Sequence, residues 1–114
     1  MILTGKEIEN AMLSHSLNDL YRLVTSIPAG RVCSYGQVGR ALQNPVSGLL
    51  VGRWMSNCPP DLPWWRVVAA DGTLPVWKKD PTLAVIQHDR LAEEGVEFDA
   101  QGKVRMDPHR WEGI

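Results

Sequence analysis

The chain has 114 residues and a formal net charge of −1. That length suits one domain over residues 1–114, and a 44% hydrophobic content can build a core without a metal or disulfide scaffold. No apolar run approaches the length needed to cross a bilayer and no signal-peptide pattern follows Met1, so a cytoplasmic protein that engages no membrane is expected. Cys33 and Cys58 have no metal-binding spacing, and His15, His88 and His109 are scattered, so no metal and no cofactor is expected.

The charges are unevenly placed. Residues 20–79 carry seven basic side chains (Arg22, Arg31, Arg40, Arg53, Arg66, Lys78, Lys79) against Asp61 and Asp71, while both flanking segments are net acidic. A basic middle is what a polyanion-binding face requires, although a solvated surface produces the same pattern.

Residues 1–16 read as an N-terminal extension with a short amphipathic stretch from Ile8 to Leu13. Ser16 is placed to cap a helix with Asp19 at its third position and Leu17, Leu20, Leu23, Val24 and Ile27 on one face. Pro28-Ala29-Gly30 ends that helix, and Arg31-Val32-Cys33 reads as a short extended bridge. Ser34 caps a second helix, Tyr35 to Leu42. Gln43-Asn44-Pro45 forms a turn, and a third helix spans Val46 to Met55 with Leu50, Val51 and Trp54 facing inward. Two short helices joined by a tight turn make a helix-turn-helix pattern.

Pro59, Pro60 and Pro63 hold the next loop extended. Arg66 to Ala69 reads as a strand, Ala70 to Thr73 as a hairpin turn and Leu74 to Val76 as its return. Asp80 caps a helix opened by Pro81 and closed by Gly95. Val96 to Phe98 and Lys103 to Arg105 suggest a final hairpin around Asp99 to Gly102. The expected fold is α+β, mainly α: a winged-helix-like helix-turn-helix domain with short hairpins.

The run Ile27-Pro28-Ala29-Gly30-Arg31-Val32-Cys33-Ser34-Tyr35-Gly36-Gln37-Val38 resembles the signature region of the DNA-binding domain of O6-alkylguanine-DNA alkyltransferases. Val51-Gly52 stands where that family has a Val-Gly pair in its recognition helix. Pro63-Trp64-Trp65-Arg66-Val67-Val68 stands where its Pro-Cys-His-Arg-Val active-site motif belongs. Arg90-Leu91-Ala92-Glu93-Glu94-Gly95-Val96-Glu97 is similar to the closing helix of alkyltransferase-like proteins. The motifs follow in one order over residues 17 to 105. The N-terminal domain of the full alkyltransferases has no counterpart in them.

A tryptophan in place of the cysteine marks the alkyltransferase-like subgroup. The resemblance implies a monomer that binds O6-alkylguanine in double-stranded DNA from the minor groove, everts the base, transfers nothing and presents the lesion to nucleotide excision repair proteins. In the enzymes a thiol attacks, and a His oriented by a Glu removes its proton. Here Trp64 replaces the thiol and Trp65 the His, and Glu94 is left with no His to orient. Indole carries only an N–H donor, so the motif has no nucleophile.

The same resemblance points to the site residues. Trp64 and Trp65 either line a pocket for the everted base or plug the vacated space, and Trp77 is either a further wall or hairpin packing. Arg66 follows the active-site position and fixes the loop. Tyr35 matches a tyrosine that presses on the target phosphate; otherwise it is a half-buried aromatic at a helix start. Ser34 and Gly36 flank it. The family's arginine finger falls at Leu49. Leu49 acts as an apolar wedge, or Arg53 reaches in from the same helix face, or Leu49 is core and Arg53 a phosphate contact. Ser47, Gly48 and Gly52 are small enough for close approach to a groove, and Asn57 matches a hinge asparagine. Arg40, Lys78 and Lys79 are phosphate contacts or solvated charge. Two other functions compete: a winged-helix DNA-binding protein without lesion preference, and an enzyme using Cys58. Cys33 reads as core.

Overall fold

The computed structural model describes residues 2–74 and 80–114. Thr4 starts the first helix, α1 (Gly5–Ser26). Its hydroxyl accepts from the Glu7 N–H (3.1 Å), and the Glu7 carboxylate accepts in return from the Thr4 N–H (3.2 Å). The expected start at Ser16 is therefore corrected: residues 5–26 form one unbroken helix. A complete capping box at Thr4 opens it, and no proline interrupts it before Ile27. Leu20, Val24 and Ile27 are buried, whereas Ile8, Met12 and Leu13 remain exposed. Asp19 does not cap α1; its carboxylate accepts from the Gln43 N–H at 2.8 Å and ties the turn after the second helix.

Gly30, at φ +83°, turns the chain into β1 (Cys33–Ser34). Ser34 then caps α2 (Tyr35–Ala41) by a capping box with Gln37. Ser47 caps α3 (Gly48–Met55), on which Val51 is buried and Leu50 and Trp54 are half-buried. Glycines let α2 and α3 meet. A Cβ on Gly48 would lie 2.9 Å from the Gly36 nitrogen, and one on Gly39 would run into the Val46 carbonyl.

The strand expected at residues 66–69 is β2 (Val67–Val68). Its partner among the described residues is one that the sequence reading did not offer. It pairs in parallel with β1, Cys33 opposite Val67 and Ser34 opposite Val68. The turn at Ala70–Thr73 does form, with the Ala69 N–H donating to the Thr73 carbonyl at 3.0 Å. The expected return through Val76 lies largely outside the described residues. The parallel ladder needs a crossover through both helices, and no local pattern announces such a pairing.

Two clusters of core residues flank this ladder. Cys33 and Val67 point into one, with Leu20, Val24, Ile27, Val38, Leu42 and Val51. Val32 and Val68 point into the other, with Leu74, Leu91, Val96, Val104 and Met106. Alternation along a strand separates them. The second cluster is covered by α4 (Pro81–Glu93), capped by Asp80 and followed by Gly95 at φ +86°. The final hairpin forms around an antiparallel bridge between Phe98 and Val104. A short helix unforeseen in the sequence, α5 (Met106–His109), then returns the chain to β1, where Val32 bonds with His109 and Trp111. The fold is α+β, mainly α, as expected. Among the described residues no helix is long and apolar enough to cross a membrane.

Candidate nucleic-acid interface

Pro63 introduces a single 3-10 turn, Trp64–Arg66, that leads straight into β2. Gln87 pins this turn from α4. It is fully buried, and its side-chain N–H groups donate to the Trp65 and Val67 carbonyls, each at 3.2 Å. Glu94 pins it from the end of α4. Its carboxylate accepts from the Trp65 indole N–H (2.9 Å), from the Arg66 guanidinium (2.6 Å at the closest) and from the Gly30 N–H (3.1 Å). Arg66 also donates to the Ile27 carbonyl at 2.8 Å. Glu94 is thus a junction between α1, the tryptophan turn and α4, not a carboxylate left without work. Burial pushes its carboxyl up, but the bonds from Arg66, Trp65 and Gly30 and the guanidinium charge outweigh that and hold it below the ordinary carboxylate value.

The two indoles have different surroundings. Trp65 is tied by its N–H to Glu94 and packs on the second core cluster. Trp64 meets it edge-on, centroids 6.0 Å apart and planes at 86°, and is half-buried with no acceptor for its N–H among the described residues. Arg90, which sequence reasoning passed over, lies over both rings, 4.6 Å from the Trp65 centroid and 5.9 Å from that of Trp64. Its helical position alone, one turn before Glu94, could have drawn attention to it.

The second group is on the helix pair. Tyr35 opens α2, half-buried against the first core cluster. Burial pushes its phenol up to about 12, so it stays neutral at physiological pH. Leu49 is 71% exposed, which removes the core reading for this residue. Gly52 and Arg53 lie three and four residues on, on the same face; Arg53 is exposed, and a Cβ on Gly52 would meet nothing within 4 Å. Ser47, Asn57 and Arg40 are also exposed. Ser34 is buried with its hydroxyl accepting in the α2 cap, and the small size of Gly48 serves its contact with Gly36. Trp77, Lys78 and Lys79 lie outside the described residues. The parallel ladder joins the two groups: Tyr35 follows β1 directly and the tryptophan turn precedes β2 directly.

Both thiols are raised above the ordinary cysteine value. Burial, with Glu112 nearby, raises Cys33 to about 12, and burial, with Asp61 nearby, raises Cys58 to about 11. Almost no thiolate exists at either near neutral pH.

Residues 17–96 match the family described as the 6-O-methylguanine DNA methyltransferase, DNA binding domain. The chain belongs to this family. Within and around it, the alkyltransferase-type domain is 38% identical over 82 residues to Alkyltransferase-like protein 1 of Schizosaccharomyces pombe, covering 69% of this chain and 74% of the relative. It is 28% identical over 98 residues to the DNA base-flipping protein of Vibrio parahaemolyticus, covering 84% of this chain and 95% of that one. The domain superposes on S. pombe Atl1 in a crystal structure with damaged DNA containing O6-carboxymethylguanine, at a TM-score of 0.73 and 30% identity, covering 87% of this chain and 96% of Atl1. Those relatives are named as alkyltransferase-like and base-flipping proteins.

Proposed function

We propose that this chain is a non-enzymatic damage sensor that binds O6-alkylguanine in duplex DNA, everts the base from the minor-groove side, and hands the site to nucleotide excision repair. The observation that carries this reading is the indole of Trp64 at the position of the family's nucleophile, standing half-open on a turn that Gln87 and Glu94 hold in place. An indole accepts an everted base by stacking, on the order of 1–3 kcal/mol per base, and has no sulfur to attack the alkyl carbon. The likeness to a yeast protein crystallised on O6-carboxymethylguanine DNA supports the choice of ligand.

Leu49 takes the place of the intercalating finger. It is the large apolar side chain that α3 presents outward, and apolar wedges do enter base steps. Gly52 lets a DNA backbone approach the same face, since among the described residues nothing lies within 4 Å of where its Cβ would stand. Arg53 and Arg40 contact phosphates, and the neutral phenol of Tyr35 presses on the target phosphate without charge repulsion.

The test is a binding titration of wild type and Trp64→Ala against paired duplexes with O6-methylguanine or guanine, at one stated salt concentration. The sensor binds the modified duplex more tightly, Trp64→Ala reduces that preference, and no labelled alkyl group moves to the protein. Equal affinity for both duplexes would instead identify a DNA-binding protein without lesion preference. Faster incision of the modified duplex by a purified excision-repair system, on adding the chain, tests the handover.

A further inference from the structure

Arg90 is a cation without a protein counter-charge at the edge of the tryptophan pair. Its helical neighbour one turn on, Glu94, would be its usual partner. That carboxylate is already engaged by Arg66, Trp65 and the Gly30 N–H. Among the described residues no ion pair and no side-chain hydrogen bond involves the Arg90 guanidinium, and residues 75–79 contain no acid. Arg66 and Glu94 cancel each other locally. Among the described residues, Arg90 is therefore the unneutralised positive charge over the two rings, half-buried and with no hydrogen bond from its guanidinium.

We propose that Arg90 makes this site prefer O6-guanine adducts that carry a carboxylate over neutral alkyl adducts of similar size. This rests on the lesion-binding reading above and names its adduct class. A guanidinium held over an indole is partly ordered before any ligand arrives, and its planar fork matches a carboxylate through two parallel N–H···O bonds. Half-burial weakens competition from water. A neutral adduct leaves the same donors to solvent and gains nothing from the charge.

The experiment uses four duplexes identical but for one guanine: unmodified, O6-methyl, O6-carboxymethyl, and the neutral isostere O6-carbamoylmethyl. Wild type should bind the carboxymethyl duplex on the order of tenfold more tightly than the carbamoylmethyl duplex, the size of one charge-assisted contact. In Arg90→Met that ratio falls to within about twofold, and Arg90→Lys retains part of it. Equal wild-type affinity for the carboxymethyl and carbamoylmethyl duplexes overturns the proposal without needing a variant. So does a uniform weakening of all four duplexes in Arg90→Met with the ratio intact, because that is the mark of a phosphate contact. If Arg90→Met does not fold, Arg90→Gln answers the same question. Equal wild-type binding of all four duplexes, unmodified guanine included, fails the lesion-binding reading itself.

Discussion

The outer face of α3 and the tryptophan turn belong to one proposed interface but are built in opposite ways. On α3, Leu49, Gly52 and Arg53 lie on an outward face, and no neighbour among the described residues determines what they are. In the turn, Trp65 and Arg66 are bound to Gln87 and Glu94 of α4 and its cap. The first region is specified by what it meets outside the molecule, the second by what it meets inside. Substitutions in the turn should therefore cost stability first, and substitutions on the outer face of α3 should cost binding without a loss of stability.

The largest effect is expected from breaking the junction. Arg66→Ala leaves the Glu94 carboxylate largely buried, with the side chains at 15% and 14% exposure, and should destabilise the fold by about 3 kcal/mol in urea unfolding. The two α3 glycines sharpen the contrast. Gly48→Ala drives a methyl against the Gly36 backbone and should cost about 1–3 kcal/mol. Gly52→Ala meets no atom of the described residues and should stabilise the helix by about 0.5–1 kcal/mol while weakening DNA binding. Equal stability changes at the two positions would erase the distinction between an inward and an outward face.

Leu49→Ala should leave stability within about 0.5 kcal/mol of wild type. It should weaken binding to an O6-methylguanine duplex by roughly tenfold if it removes a wedge. An affinity unchanged in this variant would move the wedge role elsewhere.

The smallest effect is the pH dependence of the junction. Glu94 has a lowered value in the folded protein, so its contribution is complete above the ordinary carboxylate value of about 4.3 and is lost as pH falls through the lowered one. Wild-type stability should therefore fall more between neutral pH and that acid range than the stability of Glu94→Gln, measured by denaturant midpoints at each pH.

Much of the fold was legible because its signals are local. Ser34 before Tyr35, Asp80 before Pro81, and Gly95 after Glu94 each mark a helix end through the backbone groups that a terminus leaves unpaired. The false start at Ser16 came from the same logic, since Ser16 also fits a cap. Thr4 and Glu7 form the complete box, and nothing between them and Ile27 stops the helix. Of the candidate site, motif order picked out the Trp64-Trp65 pair and the residues Leu49, Gly52 and Arg53, but it left open whether Leu49 faced outward or into the core, which its exposure in the fold decided. The work of Glu94 could not, because its partners Gly30, Trp65 and Arg66 lie 64, 29 and 28 residues away. Arg90 escaped for the related reason that its usual partner one turn on is taken by another chain segment.

The order of residues by itself determined the helix-turn-helix pair, the absence of a thiol from the tryptophan motif, and a mainly helical α+β fold, since caps, breakers and side-chain chemistry act within a few residues. Only the tertiary structure decided that β2 runs parallel to β1, that Gly48 serves a helix contact, and that Glu94 answers Arg66 and leaves Arg90 unmatched. Those outcomes depend on which distant groups compete for the same space and the same charge, and that competition arises when the chain closes on itself.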